Sequence, residues 1–275
     1  MALMPPEFLD CVVAIGYLQA DGSSHWAATG FFFGQLLRQP GPEGKRYRVF
    51  LVTNRHVLED QRIVRLRLNP QSDKPAQSFD LDLATDENGP GWLAHPDPEV
   101  DVAAARVSTR FLTDQSIQFG WFENDIHALD RSQARECGVS EGDGVFVLGF
   151  PLGTVGKRRN YVVVRSGHLA RIREALNGDT PDFLLDVTVF PGNSGGPVIL
   201  RPEADAVRGT RPLLTAYLIG IVAGYLPYED VAISPQTKRP RVVFEENSGL
   251  SVAYPVDFIT QLARSFPAPA GFELA

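Results

Sequence analysis

Phe190-Pro191-Gly192-Asn193-Ser194-Gly195-Gly196-Pro197 sets one serine among glycines and opens directly onto the apolar run Val198-Ile199-Leu200. Glycine beside a serine lets the backbone approach a partner closely and turns N–H groups outward. Acyl transfer needs that pairing of a nucleophilic hydroxyl with backbone donors for an oxyanion. A glycine-flanked serine also occurs in ordinary turns, so the stretch needs partners elsewhere in the chain.

The histidines are His25, His56, His95, His127 and His168, and every one precedes Ser194. An α/β-hydrolase carries its catalytic histidine after the G-x-S-x-G serine, which excludes that class. The order His…Asp…Ser stays open, as does Asp…His…Ser with Asp10 or Asp21 first. His56 follows the apolar run Phe50-Leu51-Val52 through a polar bend, which puts an imidazole at a strand end. Asp101 leads the small apolar run Val102-Ala103-Ala104-Ala105 out of a proline-rich acidic loop. A carboxylate at the head of a buried strand is costly unless paired, and a histidine N–H is a natural partner. Alone, His56 reads as a surface or core histidine and Asp101 as a turn former. Together, in order before Ser194, they point to nucleophilic catalysis.

Thr53-Asn54-Arg55-His56-Val57, Asp101-Val102-Ala103 and Pro191 to Pro197 resemble the three catalytic motifs of the trypsin-like (chymotrypsin-fold) serine peptidases. The nearest flavour is the bacterial HtrA-like branch, where Asn precedes the serine. Thr29-Gly30-Phe31, Gly149-Phe150-Pro151-Leu152-Gly153, Gly220 to Gly224 and Ala253 to Asp257 resemble further family blocks, so the likeness runs from about Phe8 to Phe266. The resemblance implies a serine endopeptidase with His56 as base, Asp101 as its orienting carboxylate and Ser194 as nucleophile. It implies an oxyanion hole from the Gly192 and Ser194 N–H groups, and a strand Ala223-Gly224-Tyr225 that pairs with substrate. It places Thr188 at the base of the S1 pocket, where an uncharged side chain favours a neutral P1 residue. The rival class is a non-catalytic module that grips extended peptides on the same fold.

Departures from the family pattern carry expectations of their own. No Ile-Val-Gly-Gly-like activation sequence stands near Met1, and Asn193 replaces the Asp that would pair with a freed N-terminal amine. Zymogen clipping is therefore not expected, and a regulatory protein partner that activates a latent enzyme becomes attractive. Ala223 stands where trypsins carry a Ser that supports the Asp. No segment after about residue 266 has the length of a PDZ domain.

Short apolar strands separated by turns rich in the 25 Gly and 21 Pro signal an all-β protein. With the resemblance, the expectation is two packed six-stranded antiparallel β-barrels (residues 1–115, carrying His56 and Asp101, and 116–275, carrying Ser194) and a C-terminal helix. Val256, Ile259, Leu262, Ala263 and Phe266 give that helix its apolar face. Ser132–Cys137 is expected as a short helical turn, and Gln39–Arg46, Arg201–Arg211 and Pro227–Arg241 as irregular loops, the last placed to gate or select substrate. Asp86-Glu87-Asn88-Gly89 reads as a hairpin turn rather than half a calcium loop.

At 275 residues and 44% hydrophobic, the chain can bury a large core. A net charge of −7 argues against nucleic acid or an anionic membrane as partner. The start lacks the basic and apolar regions of a signal peptide, and the longest apolar run, Leu213 to Leu226, is interrupted by Gly220 and Gly224. Two distant cysteines, Cys11 and Cys137, fit a reducing compartment, so a cytoplasmic protein is expected. His95, Asp97 and Asp101 match no standard metal spacing, and no metal or cofactor is expected.

Overall fold

The computed structural model describes residues 3–38, 44–86, 89–204, 207, 210, 212–267 and 273–274. The first half contains β1 (Val12–Leu18), β2 (Ser24–Arg38), β3 (Arg46–Thr53), the short α1 (Arg55–Leu58), β4 (Ile63–Leu68), β5 (Gln77–Asp82), β6 (Trp92–Ala94), β7 (Ala103–Arg106) and α2 (Thr109–Asp114). Its strands form one antiparallel sheet in the order β5-β4-β1-β2-β3-β7-β6. Successive side chains on a strand point to opposite faces, and this sheet buries both. Phe32, Val13, Ile15 and Leu51 pack into the concave interior. Phe31, Phe33, Phe50 and Val52 pack into the core shared with the second half.

β8 (Phe122–Glu123) and α3 (Arg131–Cys137) connect the halves. Asp130 and Gln133 form a reciprocal capping box on α3, and Gly138 ends it with a left-handed residue. Six strands then close a barrel in the order β10-β11-β14-β13-β12-β9. They are β9 (Gly144–Gly149), β10 (Val163–Arg171), β11 (Phe183–Asp186), β12 (Pro197–Leu200), β13 (Tyr217–Ile233) and β14 (Pro240–Pro255), with α4 (Arg173–Asn177) between β10 and β11. α5 (Val256–Ser265) follows, and β15 (Glu273–Leu274) returns to pair with β2. The face of α5 predicted from periodicity lies in the core between the halves, with Val256, Ile259, Leu262, Ala263 and Phe266 all buried. Each large apolar side chain there contributes about 1.5–3 kcal/mol by leaving water.

The first half differs from a closed six-stranded barrel: no pairing joins β5 to β6, so the sheet curls into a half-barrel. The gap follows from the sequence. β6 is three residues long, and Pro90, Pro96 and Pro98 around it have no N–H to give a ladder. Asp86 and Gly89 exchange backbone hydrogen bonds of 3.0 Å as a tight hairpin turn requires, while residues 87–88 lie outside the described residues. The loop expected at Pro227–Arg241 is instead a two-stranded ribbon, in which β13 and β14 stay paired from Pro227↔Asn247 to Ile233↔Pro240. Most of the 39–46 loop and parts of the 201–211 loop lie outside the described residues.

Candidate active site

Four consecutive residues, from the last of β3 to His56, build the first part of the site, and each is tethered. Thr53 Oγ1 donates to the Thr29 carbonyl at 2.8 Å, and Thr29 N–H donates to the Ser194 carbonyl at 2.9 Å. The strand end that carries His56 is thereby bolted to the turn that carries Ser194. Asn54 Nδ2 donates to the Asp101 carbonyl at 2.7 Å. The Arg55 guanidinium reaches four carbonyls of the loop entering Asp101: His95 at 2.5 Å, Asp97 at 2.8 Å, Val100 at 3.2 Å and Pro98 at 3.3 Å. Its planar fork suits such a cluster, which a lysine could not span.

His56 completes the series. Its Nδ1 lies 2.6 Å from Asp101 Oδ2, and its backbone N–H donates to Oδ1 at 3.1 Å. An ionised carboxylate can only accept, so Nδ1 carries the proton and Nε2 offers a lone pair. The hydrogen bond to Asp101 raises the imidazole pKa above its ordinary value, against the opposing pull of partial burial. Burial pushes the Asp101 carboxyl up, but the His56 ring and the His56 and Arg55 backbone N–H groups together hold it below the usual range.

The Ser194 turn is a type II β-turn. Asn193 N–H donates to the Phe190 carbonyl at 2.9 Å, Pro191 occupies the second position, and Gly192 has the left-handed φ of 98° that the third position demands. Asn193 is fully buried, and its Oδ1 accepts from Phe190 N–H at 3.1 Å. The amide closes the turn with no charged partner among the described residues. Thr29 Oγ1 donates to the Gly192 carbonyl at 2.6 Å and accepts from Phe150 N–H at 3.0 Å, while the Pro191 carbonyl accepts from Leu152 N–H at 2.7 Å. With those carbonyls held, neither the Gly192 nor the Ser194 N–H has an acceptor among the described residues. Ser194 Oγ donates to the Ala223 carbonyl at 3.0 Å, and no hydrogen bond joins it to His56 among the described residues.

Ala223, Gly224 and Tyr225 lie where the pairing of β13 with β12 has ended at Ile221, so one edge of β13 is open beside Ser194. Thr188 is exposed in the segment between β11 and the Ser194 turn, and a Cβ on Gly249 of β14 would stand 3.9 Å from its hydroxyl. Among the described residues no three His, Cys, Asp or Glu side chains gather as a metal site. Thr29, Thr53, Asn54 and Arg55 stand in the blocks that carry the family resemblance, but the sequence assigns none of them an individual role. Their adjacency to His56 or to the glycine-rich strand was the available signal.

Two predictions follow from these tethers. Thr29→Val strands the Gly192 carbonyl and the Phe150 N–H, so its denaturant midpoint should report a loss of about 1–3 kcal/mol. Arg55→Met should free the loop of Asp101, and the His56 pKa followed by NMR should fall back toward the ordinary 6.5.

An open-edged half-barrel packed on a closed barrel, with a His–Asp pair from the first and a glycine-bound serine from the second, is the chymotrypsin-like fold. The trypsin-like peptidase domain model matches residues 28–206. The chain belongs to the trypsin-like peptidase family. Among solved structures it is similar to the protease domain of MamO from Magnetospirillum magneticum in its apo form, at 15% identity and a TM-score of 0.46 over 93% of this chain and 97% of that one. No curated protein sequence matches the chain.

Proposed function

We propose that this protein is a serine endopeptidase acting on protein or peptide substrates through His56, Asp101 and Ser194. The observation that carries the reading is the 2.6 Å His56–Asp101 pair, tethered through Thr53 and Thr29 to a serine whose N–H, like that of Gly192, has no acceptor among the described residues. His56 Nε2 takes the proton from Ser194 Oγ as that oxygen attacks a peptide carbonyl, and Asp101 stabilises the imidazolium. The carbonyl oxygen becomes an oxyanion held by the Gly192 and Ser194 N–H groups, each contributing about 3 kcal/mol. His56 then protonates the leaving amine, and water resolves the acyl-enzyme by the reverse path. The substrate adds to Ala223–Tyr225 as a β-strand, with a neutral side chain at P1 near Thr188. The free thiols of Cys11 and Cys137 fit action in a reducing cytoplasm.

The Ser194 hydroxyl bonded to the Ala223 carbonyl supports a latent resting state as a second reading. A strand arriving on β13 would bring its own N–H to that carbonyl and release the hydroxyl toward His56. A regulatory partner acting on the same edge would have the same effect. A mixture-based peptide library, digested by wild type and by Ser194→Ala, tests the proposal. Cleavage by wild type alone, after neutral residues, is expected; cleavage chiefly after Arg or Lys would contradict the assignment of Thr188.

A further inference from the structure

β13 continues well past the substrate-pairing residues. Its pairing with β12 ends at Ile221, whereas its pairing with β14 runs on to Ile233. From Ala223 outward, β13 therefore keeps one edge without a strand partner among the described residues, and Leu226 to Ile233 are all exposed. A long free edge invites another strand, and the proline and charges along this one, Pro227, Glu229 and Asp230, limit which strand it takes. This one begins at the carbonyl that touches Ser194 Oγ, so whatever pairs with it is continuous with the cleft.

The ribbon has a charge pattern of its own. Glu229 lies directly opposite Glu245, and Glu246 lies opposite Tyr228, with Asp230 next along β13. Like charges opposite one another destabilise an isolated ribbon. Among the described residues, the one side-chain bond to these four carboxylates is Tyr225 Oη–H donating to Glu245 at 2.8 Å. No basic side chain pairs with them among the described residues; Lys238, Arg239 and Arg241 sit farther out, at the tip and the start of β14. Glu229 and Asp230 project to opposite faces of β13. A strand added at the free edge would bring its own side chains beside both.

We infer that the free edge of β13 from Leu226 to Ile233 extends the substrate site, taking an extended polypeptide with Lys or Arg side chains roughly four to eight residues upstream of the scissile bond. The direction follows from antiparallel addition: with P1 beside Ala223, earlier substrate residues run outward along β13. The inference rests on the proposed function for the position of the scissile bond. The edge and its acidic flank exist without it.

Binding to the full chain carrying Ser194→Ala tests the inference without needing turnover. The probes are fluorescein-labelled peptides: one with alternating Lys and Val ahead of Ala-Ala-Val, its Glu-for-Lys counterpart, and Ala-Ala-Val alone. In fluorescence anisotropy the Lys peptide should bind about tenfold more tightly than either other peptide, the contribution of two or three exposed ion pairs, and lose that advantage at high salt. Adding E229K and D230K, both exposed and outside the cleft, should erase the preference. Equal binding of the Lys and Glu peptides, no measurable binding of either, or a preference untouched by E229K/D230K would overturn the inference. A retained Lys preference in a chain whose wild type hydrolyses nothing would sink the catalytic reading and leave this one standing.

Discussion

Ser194→Ala and His56→Ala should each lower kcat on a cleaved peptide by about five to six orders of magnitude, and the double variant should lose little more. The near-equality is the informative part. Nucleophile and base act as one unit, because a serine without a base is a weak nucleophile and a base without the serine has nothing to deprotonate. Neither side chain contributes to a core, since His56 is exposed and Ser194 makes one side-chain hydrogen bond, to Ala223. Melting curves should therefore stay close to wild type for Ser194→Ala and fall for His56→Ala only by what its pair with Asp101 contributes. Losses that add across the pair would mean the two residues do not share a step.

Asp101→Asn should cost about four orders of magnitude in kcat while leaving substrate binding nearly intact. Asn offers an N–H where Asp101 Oδ2 now accepts, so the imidazole turns to its other tautomer and loses the lone pair at Nε2. The pH profile separates this from a folding defect. In wild type the acid limb of kcat/KM reports His56, whose pKa lies above 6.5 because of Asp101, so activity rises with pH through that value. The residual activity of Asp101→Asn should have its limb shifted downward. For stability the two groups pull in opposite directions. The raised His56 pKa stabilises the fold fully below 6.5 and less as pH rises through the native value, while the lowered Asp101 pKa stabilises above 3.8 and fails as pH falls through its own.

Local chemistry was legible in the sequence. Pro191 and Gly192 dictate a type II turn by their own φ preferences, and the spacing of Val256 to Phe266 dictates an amphipathic helix. The long-range tethers were not. Thr29 looks like any strand threonine until β2 meets the Ser194 turn, more than a hundred residues later. Arg55 looks like a solvated charge until the 95–100 loop closes over it. Pro227, Glu229, Asp230 and Pro235 are poor strand residues, so the sequence predicts a loop where the structure has a ribbon. Its exposed pairing across β13 and β14 overrides that local preference. For the half-barrel, Pro90, Pro96 and Pro98 stand in the sequence as the cause, but that β5 and β6 would have been the edges to meet is set by the fold.

The central claim is that Ser194 is a nucleophile activated by His56. A fluorophosphonate probe, read by intact mass on wild type, Ser194→Ala and His56→Ala, tests it most directly. The account predicts one phosphonyl adduct on wild type and none on either variant over the same time. Equal labelling of wild type and His56→Ala, or no adduct on wild type even with a peptide seated along β13, would contradict it.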